Sequence, residues 1–206
     1  MTDFVLVRHG ETAWHAENRY AGRTDVPLTE RGRRQAAALG AWAAGQPLDA
    51  VLSSPLSRAR LTAAPAATAL GLPVRVDERL YEVDFGRGDG LTRAEMAREF
   101  PDELAAFLAD PVAHHLPGGE DPVEAARRAV ACLDDTVREL PGGRVLVVAH
   151  STLVRLVLCT LLGIPLAHYR QVFPALENGA LTEVRLRPGR PASLLRLNAP
   201  ATPTTH

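Results

Sequence analysis

No lysine occurs in this chain of 206 residues; its 23 basic residues are all arginine. A Walker-type phosphate loop needs its lysine, and Schiff-base or pyridoxal chemistry needs a side-chain amine. Those mechanisms are excluded, whatever coding bias lies behind the deficit. Cysteine is scarce too. Cys132 and Cys159 fall in apolar helical stretches, where a thiol behaves as a small hydrophobe. There is no C-x-x-C pair and no disulfide framework. An excess of one charge is also missing. The formal net charge of -1 provides no basic surface for nucleic acid or membrane headgroups. The most apolar stretch, 156–165, is too short to span a bilayer, and Met1-Thr2-Asp3 leads into an apolar run without a secretory signal. The expected setting is the cytoplasm, with neither nucleic acid nor membrane as partner.

What is present is an ordinary core composition, 46% hydrophobic and 23% charged. Phe4-Val5-Leu6-Val7 reads as a buried strand. Thr29 caps a helix running to about Gly45. A second strand at 50–53 is followed by a helix over about 55–70 with proline in its first turn, then a short strand at 74–76. From 77 to 122 the pattern changes. Gly86, Gly88 and Gly90 break the chain, two short helical pieces follow near 93–100 and 102–109, and further prolines and glycines close the segment. Alternation resumes with a helix over about 122–140, a strand at 145–149 and an apolar helix at 152–162. Residues 181–186 and 193–197 read as a late strand pair, antiparallel in character. This order predicts an α/β fold, a three-layer α/β/α arrangement around a mostly parallel central sheet. We expect one domain over 1–198, with a small inserted cap at about 77–122 and a disordered tail over 199–206.

Ligands of open parallel sheets bind beyond the carboxyl ends of the strands. The first strand ends in Arg8-His9. The second ends in Ser53-Ser54 and leads into a helix carrying Arg58 near its first turn. The strand at 145–149 ends in His150-Ser151. Any one of these could be a solvated arginine or a hydrogen-bonded loop histidine. Together, three strand ends bring two arginines and two histidines to one edge. Guanidinium groups match phosphate oxygens in pairs and remain charged. A neutral imidazole can attack phosphorus through one nitrogen while the other is held. The constellation therefore suits a phosphate monoester, with positioning and charge neutralisation doing most of the catalysis.

Leu6-Val7-Arg8-His9-Gly10-Glu11-Thr12 resembles the signature of the histidine phosphatase superfamily, in its phosphoglycerate mutase-like branch. The resemblance continues through Asn18–Gly22, Asp25–Gly32, Ser53–Ala59, Leu80–Gly86, Pro117–Glu120 and Val148–His150, in the family's order. It implies that His9 is the nucleophile and becomes phosphorylated. Arg8, Arg58 and His150 would hold the phosphoryl oxygens. Glu82, which the residue pattern alone leaves anonymous, would protonate the leaving group and then serve as base for water, with a raised pKa. No cofactor and no metal are expected, because arginine and histidine supply the positive charge. The partner is a small-molecule phosphate ester; a homodimer is carried as the expected assembly.

The chain departs from the family pattern in places. His15 stands where asparagine is common; it either touches the phosphate, adding positive charge at acid pH, or simply fills the space. Ser151 follows His150 where glycine is frequent, and its backbone N–H can still face phosphate. Gly22 and Arg23 are further candidates for binding substrate. Gly88 replaces a common tryptophan. The Gly86-x-Gly88-x-Gly90 run opens no helix after a strand, so it is no dinucleotide site. His114 and His115, being adjacent, do not suggest a shared metal site, although a cap position would let them reach substrate. Two alternatives compete with hydrolysis: phosphoglycerate mutase activity, and a non-catalytic module that binds a phosphorylated ligand. The short, weakly basic cap disfavours the first. The presence of both His9 and Glu82 disfavours the second.

Overall fold

The computed structural model describes residues 1–202. Strand β1 (Thr2–Arg8) leads through a loop to helix α1 (Glu30–Ala43), which Thr29 caps by accepting the Gly32 N–H. Strand β2 (Ala50–Ser53), helix α2 (Ser57–Leu70) and strand β3 (Val74–Val76) follow. Helices α3 (Arg93–Glu99) and α4 (Pro101–Ala109) are the two short pieces of the 77–122 segment. Helix α5 (Pro122–Glu139), strand β4 (Arg144–Ala149) and helix α6 (Ser151–Leu162) restore the alternation. A single-turn helix, α7 (Tyr169–Val172), precedes strands β5 (Leu181–Arg187) and β6 (Arg190–Ala199).

The sheet order is β3-β2-β4-β1-β5-β6. β1, β2, β3 and β4 run parallel; β5 and β6 are antiparallel additions. Alternation along the strands sorts the core into two layers. Phe4, Leu6, Leu52 and Val147 face α5 and α6. Val5, Val7, Val51 and Val148 face α1 and α2. The α1–α2 crossing is close because Gly40 has no side chain: a Cβ there would lie 2.8 Å from Pro65. The three-layer α/β/α fold is therefore as the sequence pattern predicts.

The carboxyl ends of β1, β4 and β2 come together because the registers pair Arg8 with Ala149 and Ser53 with Val148. The C-terminus departs from expectation. Ala199, expected in a disordered tail, pairs with Leu181 as the last residue of β6, and Ala201 packs against the core. Residues 203–206 of that tail lie outside the described residues.

Candidate active site

His9 leaves β1 with its backbone N–H donating to the Ala149 carbonyl at 3.0 Å, and its ring is nearly inaccessible, at 5% exposure. Its Nδ1 lies 2.7 Å from the Gly10 carbonyl. A carbonyl only accepts, so we assign the ring proton to Nδ1, which leaves the Nε2 lone pair free. Burial, then the Arg58 and Arg8 charges, push the His9 pKa well below its ordinary value, so the ring stays neutral. The loop that fixes this orientation is tightly packed. Gly10 and Gly32 touch so closely that a Cβ on Gly32 would lie 2.1 Å from the Glu11 carbonyl.

Arg58 is fully buried. Its two terminal nitrogens donate to the Thr24 and Gly22 carbonyls, each at 2.7 Å, while its Nε has no partner. Arg8 donates from one terminal nitrogen to the Leu176 carbonyl (2.8 Å) and from the other to His15 Nε2 (2.7 Å); its Nε is also unpartnered. Burial lowers the Arg8 pKa to about 10, which leaves it charged at neutral pH. His150 is fully buried with its ring centroid 5.2 Å from that of His9. Its Nε2 is 2.7 Å from Ser54 Oγ, which also accepts the Leu56 N–H at 3.3 Å. We assign the Ser54 proton to Nε2, which places the His150 proton on Nδ1, and Nδ1 is unpartnered.

Three of the four buried, unpartnered side-chain polar atoms among the described residues therefore belong to Arg8, Arg58 and His150 around the His9 ring. Unpaired buried donors cost free energy. Gathered about one imidazole, they form a cradle for an anion.

Glu82 closes the site, 4% exposed. One carboxylate oxygen accepts the N–H groups of Val83 and Leu153, each at 2.9 Å; the other accepts that of Thr152 at 3.0 Å. The last two belong to the first turn of α6, whose dipole also favours an anion. Burial outweighs these bonds and raises the Glu82 pKa.

A cavity of about 700 Å³ opens onto His9, lined by Arg8, His15, Glu82 and Ser151, with Trp14, Tyr20 and Phe85 as an aromatic wall. Thr92 and Arg93, at the start of α3, contribute from the 77–122 segment. Gly22 and Arg23 do not line it. The Gly22 N–H is already bound to Asp89 (2.8 Å) and its carbonyl orients Arg58. Arg23 stacks over Tyr81 and faces Asp84 and Glu120. His114 and His115 are exposed and also lie outside the lining.

His15 is present but not in the cationic state. Its Nε2 accepts from Arg8, and its Nδ1 lies 2.9 Å from Thr12 Oγ1. Burial and then Arg8 lower its pKa, so acid does not readily charge it. Asn178, absent from the sequence reading, donates to the His9 carbonyl at 2.7 Å and approaches His15 Nε2 at 3.2 Å. Arg155 and Arg170 also line the cavity. Asn178-Gly179 is a turn dipeptide before a late strand, and nothing in its local pattern ties it to His9.

Comparison with known proteins agrees with this geometry. The family model described as histidine phosphatase superfamily (branch 1) matches residues 4–199. Phosphoserine phosphatase 1 of Hydrogenobacter thermophilus is 32% identical over 82% of this chain and 80% of its own length. The 2,3-bisphosphoglycerate-dependent phosphoglycerate mutase 2 of Gloeobacter violaceus is 37% identical over 78% of this chain and 76% of its own. The solved structure of mycobacterial glucosyl-3-phosphoglycerate phosphatase with VO3 superposes with a TM-score of 0.87, covering 96% of this chain and 99% of that one at 29% identity. The match to the family runs through almost the whole chain: the protein belongs to the histidine phosphatase superfamily, branch 1.

Proposed function

We propose that the chain hydrolyses a small phosphate monoester through a phosphohistidine formed on His9. It is a phosphoric monoester hydrolase by family; the residue roles are our reading. The observation that carries them is the cradle of unpartnered nitrogens of Arg8, Arg58 and His150 around a histidine whose Nε2 is free. In this reading Nε2 attacks phosphorus and the P–O bond to the leaving group breaks. The leaving alkoxide takes its proton from Glu82, which the raised pKa keeps available. Water then loses a proton to Glu82 as it attacks the phosphohistidine, and inorganic phosphate and neutral His9 are restored. The arginines match the equatorial oxygens on which charge is carried. Ser151, in the cavity lining, is a substrate-binding candidate, and the 77–122 segment acts as the cap through Thr92 and Arg93.

The phosphatase reading predicts a burst of p-nitrophenol from p-nitrophenyl phosphate in excess chelator, with an acid-labile, base-stable phosphoenzyme in rapid-quench samples. His9→Ala should abolish turnover yet still bind phosphate. Absence of a phosphoenzyme in the wild type would leave direct attack by water as the mechanism. The relative named as a mutase motivates a second assay: interconversion of 2- and 3-phosphoglycerate faster than their hydrolysis would favour the mutase reading.

No helix among the described residues is long and apolar enough to cross a membrane. We place the enzyme in the cytoplasm as a homodimer. The free cysteines support the first, and the exposed Leu194, Leu195 and Leu197 on the edge strand β6 support the second. Cell fractionation and light scattering test the two.

A further inference from the structure

Apart from Arg8 beside His9 and the exposed Arg93, whose Nε donates to the Tyr20 hydroxyl at 3.4 Å, two arginines of the cavity wall carry charge that no carboxylate among the described residues pairs with. Arg155 and Arg170 both line the cavity. On the same wall, Arg19 is held between Glu17 and Glu95. The remaining acid of the lining, Glu82, is the proton donor and is uncharged in that role.

Arg155 is rigidly placed. Its Nε donates to the Phe173 carbonyl at 2.6 Å, one terminal nitrogen to Ser151 Oγ at 2.5 Å and the other to the Pro174 carbonyl at 3.1 Å. All three acceptors are neutral, and two of the five guanidinium protons are left over. The bond to Ser151, the first residue of α6, draws the charge back toward the end of the helix that holds Glu82. Arg170 lies over two rings, its Cζ 4.6 Å from the Phe107 centroid and 5.3 Å from that of Tyr169. Stacking fixes the plane of a guanidinium and leaves its N–H edge to take an oxyanion in a paired fork.

Arg8 in the lining and Arg58 buried behind His9 serve the phosphate end, while Arg155 and Arg170 lie elsewhere on the same wall. A phosphate dianion at His9 balances the charge of the first two. Arg155 and Arg170 are both half-buried, and gathering further like charges beside Arg8 without an anion is unfavourable, so the remaining pair fits a second negative group on the same ligand. Tyr20 and Phe85 would flank the carbon skeleton between the two ends.

We propose that the substrate carries a second oxyanion, a carboxylate or a further phosphate, which Arg155 and Arg170 hold while the phosphate ester sits at His9. This rests on the phosphatase reading above. Two matched pairs of compounds test it: phosphoserine against phosphoethanolamine, which lacks the carboxylate, and fructose 1,6-bisphosphate against fructose 6-phosphate. In at least one pair, kcat/KM should be about tenfold or more higher for the member with the extra anion, the scale of one charge-assisted hydrogen bond. The pair that discriminates identifies the anion. The ratio should fall to within about threefold of unity in Arg170→Gln and in Arg155→Gln, as charge-assisted bonds are lost. Because it is a ratio within one preparation, loss of folded enzyme cancels. Ratios near unity in wild type for both pairs, or a ratio that survives both substitutions, would overturn the proposal. Flat ratios with brisk p-nitrophenyl phosphate hydrolysis defeat this inference alone. No hydrolysis of any compound defeats the phosphatase reading, and this inference with it.

Discussion

Replacing Glu82 by glutamine keeps the shape of the side chain and removes its proton. The structure sets two separate costs. Glutamine can offer its carbonyl oxygen to the Val83 and Leu153 N–H groups, but its amide nitrogen then meets the Thr152 N–H, donor against donor. One buried donor left unpaired costs about 1–3 kcal/mol of stability. The catalytic cost depends on the leaving group. An alkoxide must be protonated as it departs, and a positioned acid contributes about 10²–10⁴-fold; formation of the phosphoenzyme from an alkyl phosphate should slow by that much. p-Nitrophenolate is a weak base and leaves unassisted, so the same step should slow by less than about tenfold. Rapid-quench measurement of phosphoenzyme formation with both substrates separates the two. Hydrolysis of the phosphoenzyme is common to both, so its slowing should make the intermediate accumulate with p-nitrophenyl phosphate. Equal losses of the first step for both leaving groups would refute Glu82 as the acid. A pH signature goes with this. Burial raises the Glu82 pKa, so the alkyl phosphate rate should fall as pH rises through that raised value, and the glutamine variant should lack this limb. Stability has the same sign. Above the ordinary value of 4.5 the folded protein holds the Glu82 proton more tightly than the unfolded chain does. That contribution is fully present below 4.5 and is lost as pH rises through the folded pKa.

Arg58→Met strands the Thr24 and Gly22 carbonyls and should destabilise the protein by roughly 2–5 kcal/mol in urea titration; the thermal shift given by orthovanadate should disappear with it. Gly32→Ala drives a methyl group into the Glu11 carbonyl, so a loss of about 1–3 kcal/mol is expected, together with a lower kcat from a displaced His9. His9, His15 and His150 all have lowered pKa values, led by burial. Below their ordinary 6.5 the unfolded chain binds protons that the folded protein refuses, so stability should decline on acidification at roughly 1.4 kcal/mol per pH unit for each histidine involved. His15→Asn should make that decline shallower yet leave the pH optimum of turnover in place, because His15 is already neutral; an optimum moved toward alkali would restore a cationic role.

The parts of the site that the sequence announces are those delivered by local rules. An apolar run ending in Arg8-His9, and another ending in Ala149-His150, are strand ends by composition alone, and parallel registers bring strand ends to one edge. Glu82 has no such local mark: the residue pattern left it anonymous, and only the family resemblance singled it out. Its character comes from burial and from the first turn of α6, which lies 70 positions or more further along the chain. His15 shows the same limit in the opposite direction. A histidine beside a phosphate site reads as added charge until Arg8 is found donating to its Nε2, at which point that nitrogen can serve only as an acceptor and the ring is held neutral. Gly22 ends a matching segment and Arg23 follows it, yet Asp89 has taken the Gly22 N–H, and Asp84, Glu120 and Tyr81 hold Arg23. Asn178, Arg155 and Arg170 are the converse, useful groups in unremarkable segments. What local pattern cannot show is which polar groups of a residue are already engaged by distant partners. That accounting singles out Arg8, Arg58 and His150 as the residues with buried donors left over beside His9.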